Sequence, residues 1–180
     1  MSQGGSSLAQ FVSFGPIHQS SKNSTKDSAV LARQTNSSSL PFWDDFSKGI
    51  QTNKWEAKGA SYTETIGNKA PSIGMVLFNG VDEAGKSYSL QEKDQGEGDY
   101  LSSIPLDLSG IPAAQQSTVY LSFFWQAEGK AEVPVSNDRR SLQILSPDNT
   151  WLTVWEKRGG PTLDRTRFVQ ESLFIRPEWQ

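Results

Sequence analysis

The sequence contains no cysteine and a single histidine, His18. The first absence excludes a disulfide framework, a thiolate nucleophile and a cysteine zinc site. The second removes Ser-His-Asp chemistry, histidine-based metal sites and any HExxH motif, since the one imidazole lies in a polar N-terminal stretch. A basic surplus is missing as well. Lys and Arg number 17 against 20 Asp and Glu, for a formal net charge of −3, and no basic cluster stands along any segment. Phosphate neutralisation has no basis, so nucleic acid is not an expected partner. No run approaches the ~18 apolar residues that span a bilayer, so no membrane insertion is expected. The opening MSQGGSSLAQFVSF has neither the basic n-region nor the apolar h-region of a signal peptide. The phosphate-binding patterns GxxxxGK[ST] and GxGxxG do not occur.

What the chain does have is aromatic side chains in short, turn-punctuated runs. Residues 1–39 are rich in Ser, Asn, Gln, Thr and Lys. Such a stretch cannot bury enough apolar surface to offset its ordering entropy, and the expectation is a disordered tail or linker. From Leu40 the composition changes: Phe42, Trp43, Phe46 and Trp55 arrive together, with Asp44 and Asp45 between them. The domain is therefore expected to occupy 40–180.

Within it, Ile73–Asn79 (IGMVLFN) reads as a strand buried in a core, bounded by Pro71 and Gly80. Tyr100–Ser103 and Leu106–Leu108 read as short strands, and Pro112 breaks the segment that follows. In Thr118–Gln126 the odd positions Val119, Leu121, Phe123 and Trp125 are all apolar and define the core face. Ser141–Leu145, a turn at Ser146–Asn149, and the strand opened by Trp151 form a hairpin. In that last strand Trp151, Thr153 and Trp155 alternate with Leu152, Val154 and Glu156, so either face can be the buried one. Arg167–Ile175 supplies a final strand. Regular spacing of strands and turns, without a helical period, predicts an all-β antiparallel sandwich of the jelly-roll kind.

The chemistry-bearing candidates follow. Asp94, Glu97 and Asp99 alternate with glycines in DQGEGD. Read as a loop, this segment offers carboxylates and sharp turns to a structural Ca²⁺, which takes six to eight oxygens. Ordinary turn chemistry accounts for the same residues. Among the rings, Phe78, Phe123 and Trp125 are expected in the core. Trp151, Trp155 and Tyr88 are the candidate ligand-binding rings, with Trp43 and Tyr62 behind them, since exposed rings on a sheet stack on sugars. Glu56, Glu128 and Glu156 are the carboxylates weighed for glycoside hydrolysis, which needs two of them across a cleft. Solvated strand-edge or loop charges are the favoured account of them, hydrolysis is the minority reading, and the chain is not expected to be an enzyme.

The order of phrases resembles the MAM-like, concanavalin-related jelly-roll domain of exported Bacteroidota surface proteins, many associated with gliding motility or type IX secretion. The phrases are LPFWDDFS (Leu40–Ser47), Lys54-Trp55, APSIGMVLFNGVDEAGKSYS (Ala70–Ser89), GDYLSSIPLDLS (Gly98–Ser109), VYLSFFWQAEGKAEVP (Val119–Pro134), SLQIL (Ser141–Leu145), WLTVWEKRGG (Trp151–Gly160) and FVQESLFI (Phe168–Ile175). They run collinearly over Leu40 to about Gln180. The resemblance implies a jelly roll lacking its last strands, an extracellular or cell-surface location, and a structural Ca²⁺ near Asp44 and Asp45. It further implies a recognition or adhesion module whose partners are a polysaccharide, a surface protein or neighbouring domains of a longer chain. A spacer or assembly domain is the alternative.

Overall fold

The computed structural model describes residues 6–15, 37–82, 84–86, 88, 96–130, 134, 136, 138–161 and 163–179. Eleven strands lie in chain order: β1 (Ser6–Gly15), β2 (Ser38–Ser39), β3 (Trp55–Lys58), β4 (Ser61–Thr63), β5 (Met75–Leu77), β6 (Gly96–Ser103), β7 (Leu106–Asp107), β8 (Tyr120–Trp125), β9 (Arg139–Leu145), β10 (Trp151–Arg158) and β11 (Val169–Phe174). Helix among the described residues is confined to 3-10 turns at Ala113–Thr118 and Pro177–Trp179. No helix there is long and apolar enough to cross a membrane. The chain is all-β.

The main sheet has the order β10-β9-β1-β6-β3, antiparallel along that path; the short β7 pairs antiparallel with β1, and β2 pairs parallel with β7. Two further pairs stand apart in hydrogen bonding, β11-β8 and β4-β5. β8 and β11 meet the main sheet through side chains. Ile144 of β9 clusters with Leu108 and Ile175, and Leu121 and Val154 pack against that cluster. Trp155 of β10 sits edge-on to Phe123 and Trp125 of β8, with ring centroids 5.2 and 5.3 Å apart. The odd positions of β8 thus face inward as their alternation predicts, half-buried, while Tyr120, Ser122 and Phe124 are exposed.

Several expectations need correcting. Ser6–Gly15, placed by composition in a tail, is strand β1 and pairs with β9 on one side and β6 on the other. Its short apolar segment, LAQFVSF, is diluted by polar flanks, and a windowed composition does not see it. Residues 16–36, the bulk of the expected tail, lie outside the described residues. The core strand expected over Ile73–Asn79 shrinks to Met75–Leu77, half-buried and paired only with β4, and Ile73 is 68% exposed. The loop expected at Asp94–Asp99 is strand from Gly96 onward. Its glycines sit in an extended ladder opposite β1, with Gly15 against Gly96 and Phe14 against Glu97.

The ambiguity of the Trp151 strand resolves into a bulge. Register along β9 and β10 pairs Trp151 with Leu145 and Thr153 with Gln143, then shifts so that Trp155 pairs with Leu142. One extra residue reverses which side of a sheet the following side chains occupy. Trp151 therefore shares a face with Gln143, and Trp155 shares the opposite face with Leu142 and Ile144.

Candidate functional site

Two features could meet a ligand, and both are built by β8 and its surroundings. The first is the outer face of the β8-β11 pair. Direct cross-strand partners there are Tyr120 with Phe174, Ser122 with Ser172, and Phe124 with Gln170. All six are exposed. Tyr120 and Phe124 are 65% and 50% exposed, far more than large rings in a packed sheet, and Phe174 is 36% exposed. The Tyr120 and Phe174 rings touch, with centroids 5.7 Å apart. Four residues along a strand advance about 13 Å, so Phe124 lies one such step from the Tyr120–Phe174 pair. Rings at both ends, with two hydroxyls and an amide among them, make an exposed face that offers stacking and hydrogen bonds together.

The second feature is a cavity of about 570 Å³ between the layers, bordered by the inner face of β8, by β5 and by the main sheet. Its walls are mostly apolar, among them Leu101, Ile144, Leu121, Phe123, Trp155 and Met75. Interiors normally leave few voids larger than a water molecule. The space exists because β8 and β5 each pair on one side only among the described residues, β8 with β11 and β5 with β4. At one end a hollow of about 80 Å³, lined by Val76–Phe78, Gln126–Glu128 and Arg140, adjoins it and shares Arg140, Gln126 and Glu128 with it. Burial pushes the Arg140 guanidinium below its ordinary value, and the charges of Asp138 and Asp99 push it back up. Arginine stays protonated in proteins, so this is a half-buried cation. No side-chain hydrogen bond or ion pair joins the guanidinium to another described residue.

The sequence-derived site residues fall in different places. Asp44 is a structural hub: Oδ1 accepts from the Phe46 N–H at 2.8 Å, and Oδ2 accepts from Trp55 Nε1 at 3.0 Å and lies 3.3 Å from Lys54 Nζ. Phe42 and Phe46 flank the Trp55 ring at 5.3 and 5.4 Å. Asp45 turns to the Ser47 N–H at 3.0 Å, and that bond holds its carboxyl below the ordinary aspartate value. An ammonium thus already pairs with Asp44, while Asp45 faces its own turn.

Asp99 is fully buried; its carboxylate accepts from Gly80 N at 3.0 Å and from the Tyr88 hydroxyl at 2.9 Å. Gly59, at φ +68°, leaves the room this arrangement needs, because a Cβ there would come within 2.2 Å of both Asp99 Oδ1 and the Tyr88 oxygen. Tyr88, expected as a ligand-binding ring, thus has its polar end turned to Asp99. Glu97 enters the sheet opposite Phe14, and Asp94 lies outside the described residues. No cluster of three metal-ligating side chains occurs among the described residues. The rings Trp151 and Trp155 are not brought together, since the bulge separates their faces.

The carboxylates weighed for hydrolysis are each engaged. Glu56 accepts from the Tyr100 hydroxyl at 2.9 Å, Glu128 pairs with Arg165 at 3.2 Å, and Glu156 lies between Arg139 and Arg158 at 3.7 and 3.4 Å. The exposed rings Tyr120, Phe124 and Phe174 were not among the expected ligand residues. Their signal was present in the alternation of β8, whose even positions carry Tyr and Phe on what had to be the outer face.

No protein-family profile, curated protein or solved structure matches the chain. The fold defines the molecule as an all-β protein with an aromatic outer face and an apolar inter-layer cavity.

Proposed function

We propose that this protein is a non-catalytic recognition module that binds an extended polysaccharide along the outer face of β8 and β11. One observation carries the reading: Tyr120, Phe174 and Phe124 are exposed on a two-stranded face whose intervening positions are Ser122, Ser172 and Gln170. Exposed apolar patches on a soluble surface mark interaction sites. Rings that stack on sugar faces, with hydroxyls and an amide beside them for sugar hydroxyls, suit a carbohydrate better than a purely apolar partner. In this reading the layers are those of a MAM-like jelly roll acting outside the cell or on its surface, as the sequence resemblance implies. Ca²⁺ has no part in contacting the sugar, because the recognition groups are neutral.

The test is retention of the folded chain in polysaccharide-containing native gels and on a glycan array, with Ca²⁺ and with a chelator. Wild type is expected to bind in both conditions, and Phe124→Ala with Tyr120→Ala to abolish retention while leaving the circular dichroism unchanged. Failure of the folded wild type to bind any glycan, or full retention by the double variant, overturns it.

The spacer reading has one observation in its favour. Trp43 and Ile73 are 70% and 68% exposed. They flank the segment where Gly74 lies against the Phe46 carbonyl, a surface that a neighbouring domain would cover.

A further inference from the structure

The inter-layer cavity combines three properties that seldom occur together by accident of packing. It has a volume of about 570 Å³, within the ~300–1,000 Å³ range of ligand sites. Its walls are rings and aliphatic chains from both layers. Its polar end lies in the adjoining hollow, which holds the Arg140 guanidinium, the Glu128 carboxylate paired with Arg165, and the side-chain amide of Gln126, already engaged with the backbone of Asn68.

Most of the charges around the cavity are already engaged. Asp44 is paired with Lys54, Glu128 with Arg165, and Asp45 bonds to the Ser47 N–H. Arg140 is the charged side chain of the lining that has neither a salt bridge nor a side-chain hydrogen bond to a described residue. Asp138 and Asp99 act on it through space alone. A planar guanidinium presents paired N–H donors that match a carboxylate two to two.

We propose that this cavity binds an amphipathic anion, a long-chain monocarboxylate whose tail lies between β8, β5 and the main sheet and whose carboxylate meets Arg140 in the adjoining hollow. The site is separate from the outer aromatic face, and the two stand or fall independently. An aliphatic tail fills a space that the described side chains leave open, and the head group gives Arg140 a direct partner that it does not have among the described residues.

The experiment uses the full chain, stripped of co-purified lipid and refolded, with dodecanoate, dodecanol and dodecyltrimethylammonium as probes below their micellar concentrations. Binding is followed by tryptophan fluorescence, since Trp125 and Trp155 border the cavity, and by calorimetry. Dodecanoate is expected to bind about tenfold or more tighter than dodecanol, and the cationic probe more weakly than either. Arg140→Gln is expected to bring dodecanoate down to the dodecanol level and leave dodecanol unchanged. Ile144→Phe, which narrows the space but keeps Arg140, is expected to weaken both. Should Arg140→Gln fail to fold, the ranking of the three probes on wild type decides alone. Equal affinity for carboxylate and alcohol, tighter binding of the cation, or no binding by the folded protein overturns the proposal.

Discussion

The two buried tryptophan clusters of this chain solve the same problem in opposite ways. Trp55 lies between Phe42 and Phe46, and its indole N–H donates to Asp44, which also accepts the Phe46 amide. Trp155 lies against Phe123 and Trp125, but its indole N–H is buried without an acceptor among the described residues. The opening segment is closed, with ring contacts and polar pairing satisfied by the same few residues. At the β8-β10 contact the Trp125 indole donates to Glu171, which also lies 3.6 Å from Lys157, so the polar pairing sits at the edge of the rings and beside an open cavity. A satisfied buried hydrogen bond fixes one arrangement, whereas ring contacts next to a void tolerate several.

The largest expected effect breaks the closed side. Trp55→Ala removes two ring contacts and leaves the Asp44 carboxylate with a lost donor, and a cost of about 3–5 kcal/mol is expected in urea unfolding. The sharper comparison keeps the ring and removes only the N–H. Trp55→Phe is expected to lose about 1–2 kcal/mol, while Trp155→Phe, which deletes an unpaired donor, is expected to stay within about 0.5 kcal/mol of wild type or to gain stability. Equal losses at both positions would show that the two clusters do not differ in the way described.

Next in size is the knot around Asp99. Asp99→Ala strands the Tyr88 hydroxyl and the Gly80 amide, each losing a buried acceptor, and about 3 kcal/mol is expected. Gly59→Ala attacks the same knot from the backbone side, combining a left-handed φ with a collision against Asp99 and Tyr88, for about 1–3 kcal/mol. Because the two substitutions damage one contact set, the double variant is expected to lose less than the sum. Additive losses would mean that Gly59 and Asp99 are not part of one unit.

How much of this was readable beforehand differs between the same regions. The β8 pattern was legible because a half-buried strand imposes a period of two, and Leu121, Phe123 and Trp125 keep it. Strand β1 was not, because its place between β9 and β6 is a long-range property that no local composition encodes. The bulge was equally invisible: the Trp151–Trp155 segment alternates cleanly, and only pairing with β9 reveals the extra residue. Asp99 looked like a cation ligand because its neighbours are acidic and glycine-rich, while the donors that bind it, Tyr88 and the Gly80 amide, come from a segment 11 to 19 positions away. The partners of Asp44, Lys54 and Trp55, were hidden for the same reason, since they are met only once β3 is in place.

The smallest expected effects belong to the exposed turns, where carboxylates stabilise locally and the rest of the fold hardly notices. Asp148 accepts from the Ser146 hydroxyl and the Thr150 amide, Asp164 from the amide and hydroxyl of Thr166 and from Arg167, and Asp107 from the Ser109 amide. Hydrogen bonds to the ionised form hold all three below the ordinary aspartate value of 3.8, foremost the Ser146 hydroxyl for Asp148, the Thr166 amide for Asp164 and Ser109 for Asp107. A native value below the unfolded one means that the unfolded chain binds the proton first. The contribution of these turns is therefore complete above about pH 4 and fades as the pH falls through the lowered native values. Carboxyl NMR titration of the folded chain is expected to give midpoints below 3.8 for all three, with Asp148→Asn removing one titration and leaving the other two in place. A midpoint at or above 3.8 for Asp148 would mean that the Ser146–Thr150 turn is open in solution, and that the rigid end of the β9-β10 hairpin lies inside the sheet, not at its tip.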